Sequence, residues 1–422
     1  MEKQKKLLLV SGDLTTPTVL KYCKEIGVYT IMTNNIPYET NPFKQMADEA
    51  WEIDISEVDI LEKKCREAGV TNVFAGVNEY NIDIAQTLAK RLGLRFYGSD
   101  EGWACARDKI RFKEHCIAVG LDVPKRYYVT EEFDQKILDE IQYPVIIKPV
   151  DCAGQSGLSL CYNEEELRSG YLKALTFSST KRILVEEYIT GEEMAIEYHY
   201  VNGQYVITTI DGMPKQKIND RQNFIITPLT DLFYQEYMDK CYEKTCELFR
   251  RMDVKDGSYY FQAINRDGKF YFLEFIYRID GPGLWTIQEP IFGYNKIRLM
   301  VDIALGRKSD LSWATPENLR KDERRGMVYF CWMNPGKIVR ISGVEDLSAI
   351  EGITFIYKRF SVGDYVEKTD NMRQMAFFIG VLGKDNADMI DKVKLINEKL
   401  SVIDENGKEM FIRYEDYDAL RK

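Results

Sequence analysis

The residues of this chain whose types and spacing could do chemistry are a few lysines, a loop of small residues and an acid inside an apolar strand. Lys148 closes the apolar run Val145-Ile146-Ile147 between Pro144 and Pro149, where an ammonium needs a partner. The loop Asp151-Cys152-Ala153-Gly154-Gln155-Ser156-Gly157 follows at once, and its small residues let backbone N–H groups come close to phosphate oxygens. Further on, Glu274 sits inside the apolar stretch Phe270-Tyr271-Phe272-Leu273-Glu274-Phe275-Ile276, with Arg278 four residues beyond it. Charged side chains on such a strand are rarely buried unpaired. A carboxylate chelating Mg2+ between phosphates meets that requirement, and so does a structural Glu274–Arg278 pair. Glu186-Glu187-Tyr188-Ile189-Thr190-Gly191-Glu192-Glu193 reads either as a solvated acidic turn or as a binding strand. Lys148 alone reads equally as a strand-end surface lysine. Lys215, Lys217 and Arg221 follow Asp211-Gly212 in a polar loop that reads first as a solvated charge cluster.

These residues need elements to hold them. The first hundred residues alternate strand and helix signals: strands at 6–11, 28–33 and 73–77, helices at 16–26 and 80–92. Such alternation predicts a parallel sheet with helices on its faces. Ligands gather at the carboxyl ends of strands in open sheets of this kind, which marks Ser11-Gly12-Asp13 and Asn78-Glu79. Glu79 is equally an acid favoured by a helix N-terminus. Residues 110–119 read as a helix stopped by Gly120 and Pro124, and strands follow at 145–148, 181–188, 194–201 and 205–210. Residues 261–265 and 269–275 predict a hairpin across Arg266-Asp267-Gly268. Residues 307–325 read as a charged linker, 327–333 and 337–341 as a second hairpin around Asn334-Pro335-Gly336, and 389–400 as a helix after a mainly β stretch.

Composition narrows the field. A chain of 422 residues with 45% hydrophobic and 29% charged content has room for two or three domains, each with a sizeable core. A net charge of -10 argues against non-specific nucleic-acid binding and leaves a small anionic ligand open. Nine cysteines without a CxxC pair, and only His115 and His199, argue against zinc-ribbon or zincin sites. The expected state of those cysteines is reduced and buried. No apolar run approaches the roughly 20 residues of a membrane span, so a soluble, cytoplasmic protein is expected.

Taken in order, Asp108-Lys109, Tyr143-Pro144-Val145-Ile146-Ile147-Lys148-Pro149, the stretch from Leu184 to Glu193 and the stretch from Phe270 to Arg278 resemble the ATP-grasp superfamily. The likeness is to carboxylate–amine ligases of the amino-acid and dipeptide ligase kind and to the carbamoyl-phosphate synthase large chain. It implies an α/β chain with a Rossmann-like pre-grasp domain at 1–108 and an ATP-grasp core of two α+β subdomains. These are a lid at 109–190 and a part at 191–310 carrying the metal and substrate strands. A small β-rich α+β domain follows at 326–422, suggested by Gly363-Asp364-Tyr365-Val366 and Arg373. By this resemblance Lys109, Lys148, Ser156 and Gly157 contact phosphates, and the Lys215 loop covers them. Glu186, Glu187 and Ile189 belong to the adenine hinge, and Glu193 takes the ribose. Gln262 and Glu274 hold Mg2+, for which Mn2+ can substitute. Arg278 and Lys148 serve catalysis, while Glu79, Arg278 and Gly281 face the substrate. The family has an asparagine where Ile276 stands, and Ile276 can ligate nothing. The implied partners are ATP and small carboxylate and amine substrates, with no nucleic acid or membrane, and a homodimer is compatible with them. The implied activity joins a carboxylate, activated as an acyl phosphate, to an amine. The rivals are a nucleotide-binding protein that has lost catalysis, and a ligase acting on a sugar acid or a carboxylated purine precursor.

Overall fold

Four of the five residues of the strand Lys6–Val10 are buried, which is the signature of a central strand covered on both faces. In the computed structural model it lies in a parallel sheet of order Glu49–Trp51, Tyr29–Thr33, Lys6–Val10, Asn72–Phe74. The structure describes residues 4–421 apart from 153–155, 219–220, 230, 232, 282, 310, 313, 321 and 370. The helix Glu79–Leu92 starts where the Asn78 side chain accepts from the N–H groups of Tyr80 and Asn81, just past the strand Asn72–Phe74. Glu79 is therefore the first residue of that helix, at the strand ends where the sequence places it.

A second, antiparallel sheet runs Arg126–Tyr127, Ile183–Glu187, Val145–Pro149, Ser159–Cys161, with the helix Glu164–Phe177 packed on it. Val145 and Ile147 are fully buried, and alternation turns Lys148 to the opposite face. A third sheet, Gln204–Gly212, Glu192–Val201, Gly257–Arg266, Lys269–Ile276, is antiparallel throughout. Its apolar face carries Tyr198, Phe261 and Phe275, packed with Phe112 and Phe249 in one aromatic core of stacked and edge-on contacts. Both the parallel sheet and this sheet contribute to a single continuous hydrophobic cluster.

Three readings change here. The segments around Asn334-Pro335-Gly336 do not pair as a hairpin. The strand Arg325–Met333 lies between Ile226–Pro228 and Met375–Gly383, while Gly336–Ser342 pairs with Tyr365–Val366 and Ser401–Asp404. The first strand is buried from Gly326 to Met333 and needs covered neighbours on both edges, which its half-exposed successor cannot supply. The stretch read as a linker carries the helix Pro316–Arg320, with Leu311, Ala314 and Leu319 buried and Arg320 stacked on Tyr234. The polar loop after Gly212 forms an antiparallel ribbon of Lys215–Ile218 and Arg221–Phe224.

Candidate active site

The Asp108 side chain accepts from the N–H groups of Ile110 and Arg111 at 2.9 and 3.1 Å and so starts the helix Lys109–Ala118. Lys109 and Lys113 lie one turn apart on one face of it. The Lys109 ammonium donates to the Cys152 carbonyl at 2.9 Å and stands 3.2 Å from Glu274 Oε2. Lys113 pairs with Glu186, whose other oxygen lies 3.2 Å from Lys148 Nζ. Burial would raise the Glu186 carboxyl, but the charges of Lys113 and Lys148 outweigh it and hold the group below its ordinary value. This carboxylate is a fully buried bridge between two lysines. Lys113, absent from the sequence reading, could have been found from its one-turn spacing to Lys109.

The metal candidates face each other. Gln262 stands opposite Glu274 in the register of the hairpin, immediately before a register shift that leaves Leu273 of the partner strand without an opposite residue. Burial would raise the Glu274 carboxyl as well, and the charges of Lys109 and Lys148 again outweigh it. An ionised carboxylate beside an amide oxygen suits a hard cation that completes its octahedral shell with phosphate and water oxygens. Among the described residues, the one cluster of three His, Cys, Asp or Glu ligand atoms lies elsewhere, at Glu101, Cys105 and His115. There Arg111 forks onto Glu101, and burial pushes the Cys105 thiol up to about 12, so the donors are committed.

Glu274 and Arg278 do not pair with each other, as the structural alternative had it. Arg278 donates to Glu79 Oε1 from Nε at 3.1 Å and from Nη2 at 2.8 Å, and to the Ile279 carbonyl at 3.0 Å. Tyr260 and Glu79 outweigh the burial that would lower this guanidinium, and keep it charged. Glu79, Lys109, Gln262, Glu274, Arg278 and Gly281 thus line one cavity of about 660 Å³, to which Cys152 also contributes.

The hinge candidates stand apart from that wall. The Glu187 N–H donates to the Lys125 carbonyl at 2.9 Å and the Tyr188 N–H to the Pro144 carbonyl at 3.2 Å. The Glu187 carboxylate lies 3.3 Å from Arg266, Glu193 pairs with Lys215, and Ile189 is buried beside Ile264 and Tyr271. Gly157 has φ +72°, and a Cβ there would meet Pro149 at 2.8 Å, so glycine is required where the loop returns past Ser156. Ala153, Gly154, Gln155 and Pro282 lie outside the described residues, as does the side chain of Arg221.

A second polar cluster, also absent from the sequence reading, reaches the same cavity through Glu197, Asp280 and Lys296. Lys296, first residue of the helix Lys296–Ala304, pairs with Asp280 and stands 2.5 Å from Glu197 Oε1. Glu197 Oε2 accepts from Thr208 Oγ1 at 2.8 Å and Gln288 Nε2 at 2.6 Å. The available signal was an acid at a buried position of the strand Glu192–Val201.

Residues 108–311 match the family described as Carbamoyl-phosphate synthase L chain, ATP binding domain. A carbamoyl phosphate synthase large chain of Sulfurisphaera tokodaii is 26% identical over 238 residues, covering 54% of this chain and 23% of that one. The chain therefore spans about a quarter of that relative's length. Dapdiamide A synthase of Enterobacter agglomerans is 23% identical over 307 residues, covering 70% of this chain and 71% of that one. The crystal structure of L-amino acid ligase from Bacillus licheniformis superposes with a TM-score of 0.80 over 96% of this chain and 100% of that one. Its identity is 16%, so that likeness speaks for the fold alone.

Proposed function

We infer that this chain, built on the ATP-grasp fold, is an ATP-dependent ligase that activates a carboxylate as an acyl phosphate and joins it to an amine, releasing ADP and phosphate. The observation that carries the reading is the convergence on one cavity of Lys109, the Gln262–Glu274 pair and the Glu79–Arg278 fork. Phosphoryl transfer is mainly positioning and charge stabilisation, and these groups supply both. Gln262 and Glu274 would hold Mg2+, or Mn2+ in its place, which neutralises phosphate charge when bound. Lys109 and Lys148 hold the triphosphate, with Ser156 and Gly157 closing over it. The main chain of Glu187 and Ile189 takes the adenine, and Glu193 the ribose. Glu186 acts on the nucleotide through the two lysines it bridges. Arg278, gripped by Glu79, holds the carboxylate and then the acyl-phosphate oxygens, and Gly281 leaves room for the substrate.

In this reading 1–108 is the pre-grasp domain, 109–190 the lid, 191–310 the metal and substrate part and 326–422 the C-terminal domain. No helix among the described residues is long and apolar enough to cross a membrane. All nine cysteines are free, eight of them buried, which supports a reducing, cytoplasmic setting. A second reading, a nucleotide-binding protein without catalysis, is favoured by one residue, Ile276, which lines the cavity and offers no ligand.

The test is an ADP- and phosphate-release screen of the full chain with MgATP across paired carboxylates and amines, read beside thermal stability. MgATP at 100 times its dissociation constant should add about 2.7 kcal/mol of stability. Turnover with a carboxylate and an amine supports the ligase. A thermal shift with no turnover for any pair favours the second reading, and no shift at millimolar nucleotide removes both.

A further inference from the structure

One strand of the C-terminal sheet reaches the cavity. Side chains alternate along Ile353–Lys358 and into the residue after it, so Phe355, Tyr357 and Arg359 share a face. The ladder continues through Arg359, whose backbone N–H donates to the Ala376 carbonyl at 2.8 Å. Phe355 packs on Gly283, in the loop that follows Arg278. That glycine has φ +84°, and a Cβ there would stand 2.7 Å from the Phe355 ring. Tyr357 stacks on Phe378 with 5.6 Å between centroids, and the Arg359 guanidinium lies 5.1 Å from the centroid of the same ring. Tyr357 and Arg359 line the cavity together with Phe224 and Met372. All four keep surface open: Arg359 is exposed and the other three are half-buried.

Arg359 differs from the other cations of this cavity. Arg107, Lys109, Arg278 and Lys296 each stand within 4.0 Å of a carboxylate. Arg359 meets none among the described residues. Its Nη1 donates to the Met372 carbonyl at 2.6 Å, and its other side-chain donors have no partner among the described residues. Desolvation by the surrounding protein pulls the guanidinium below its ordinary value, and an arginine so placed still carries its charge at neutral pH. A charged fork held over an aromatic ring, with donors to spare and no acid beside it, suits an anion on a molecule that also has an apolar part.

We propose that this strand face is a substrate subsite in which Arg359 holds an anionic group, while Phe224, Tyr357 and Met372 support the apolar body that bears it. The carboxylate to be activated belongs to Arg278 on another wall, so the anion at Arg359 is a second one, borne by the acid or by the amine. The inference rests on the ligase reading only for the naming of those two substrates. Arg359 is then a specificity residue, and the C-terminal sheet is part of the site as well as its support.

Binding is measured by calorimetry on the full chain with a non-hydrolysable MgATP analogue. The probes are pairs in which a methyl group replaces the second anion. Adipate against hexanoate and terephthalate against para-toluate test the acid. For the amine the pairs are ε-aminocaproate against hexylamine and para-(aminomethyl)benzoate against para-methylbenzylamine. At least one anionic member should bind about tenfold tighter than its methyl partner, the factor a charge-assisted hydrogen bond carries. The arm that shows the preference identifies which substrate bears the anion, and the aryl or alkyl pair identifies its body. Arg359→Gln, still shifted thermally by the nucleotide, should lose most of the ratio, and Arg359→Lys should keep part of it. The proposal is overturned if no anionic probe binds, if the members of every pair bind equally, or if Arg359→Gln keeps the preference. It is overturned too if acetate competes as well as the preferred probe, because the apolar wall then adds nothing. A preference for the anion without ADP release for any acid and amine would sink the ligase reading and leave the subsite. ADP release that never depends on a second anion would do the reverse.

Discussion

Glu186 and Glu274 both sit where burial should neutralise a carboxylate, and lysines keep both charged. The consequences of removing them differ. Glu274 pairs with Lys109 and, in the proposed mechanism, ligates the metal, so Glu274→Gln should reduce ADP formation by roughly 100-fold, equivalent to about 2.7 kcal/mol. Its urea midpoint should move little; normal turnover would put the metal elsewhere. Glu186 is enclosed by Lys113 and Lys148, and Glu186→Gln leaves Lys113 buried without its counter-charge. Breaking such a pair costs about 3–5 kcal/mol, readable by urea denaturation at neutral pH. Because the folded-state carboxyl lies below its unfolded value, that stabilisation is present above about pH 4.3 and is lost as pH falls through the lowered value. The gap between wild type and Glu186→Gln should therefore close in acid. A gap that widens there would contradict the assignment of charge.

At the scale of elements, the hairpin register decides what Ile276 means. Side chains alternate along a strand, so Ile276 shares the face of Glu274, and it stands opposite Tyr260. An asparagine there would add a third oxygen donor beside Gln262 and Glu274. Ile276→Asn should keep turnover within about threefold and lower the Mg2+ concentration for half-maximal rate, as expected when one bound water gives way to a protein ligand. An inert wild type whose Ile276→Asn variant hydrolyses ATP would instead establish lost catalysis. The helix Lys109–Ala118 makes a parallel case. Asp108 caps it and also pairs with Arg182, so Asp108→Ala should cost about 1 kcal/mol of stability. It should also raise the ATP concentration for half-saturation, because Lys109 is the first residue past the cap. Loss of stability with unchanged nucleotide binding would detach Lys109 from the site.

Across the whole molecule, the C-terminal sheet takes the strand Ile226–Pro228 from the middle of the sequence. Leu284, Ile287 and Ile291 pack into the same cluster as Met327, Phe330 and Phe378. A chain ending at Arg324 would expose that apolar surface and leave the strand Ile226–Pro228 without its partner. Such a chain should show no cooperative thermal transition by circular dichroism and should elute as aggregate. A monomeric, cooperatively melting fragment that still binds MgATP would mean that the C-terminal sheet is dispensable.

Legibility in the sequence follows the range of the interactions. The βαβ start, the helix from Glu79, the strand holding Lys148 and the hairpin across Asp267-Gly268 were readable because period, caps and turn chemistry are local. The pairing of Arg325–Met333 was not, since adjacency in sequence favoured a hairpin while burial along the strand required distant neighbours. The same division runs through the site. Residue types alone single out Glu274 and Arg278, because a charge on or just past an apolar strand is conspicuous locally, whereas Lys109 and Gln262 rest on the resemblance of the motif order to a known family. Which acid meets which base belongs to the tertiary structure: Glu79 joins Arg278 across 199 positions, Glu186 takes two lysines, and Lys296 reaches Glu197 and Asp280. A buried charge must find an opposite charge close by in space, and nothing in local periodicity says where in the chain that partner lies.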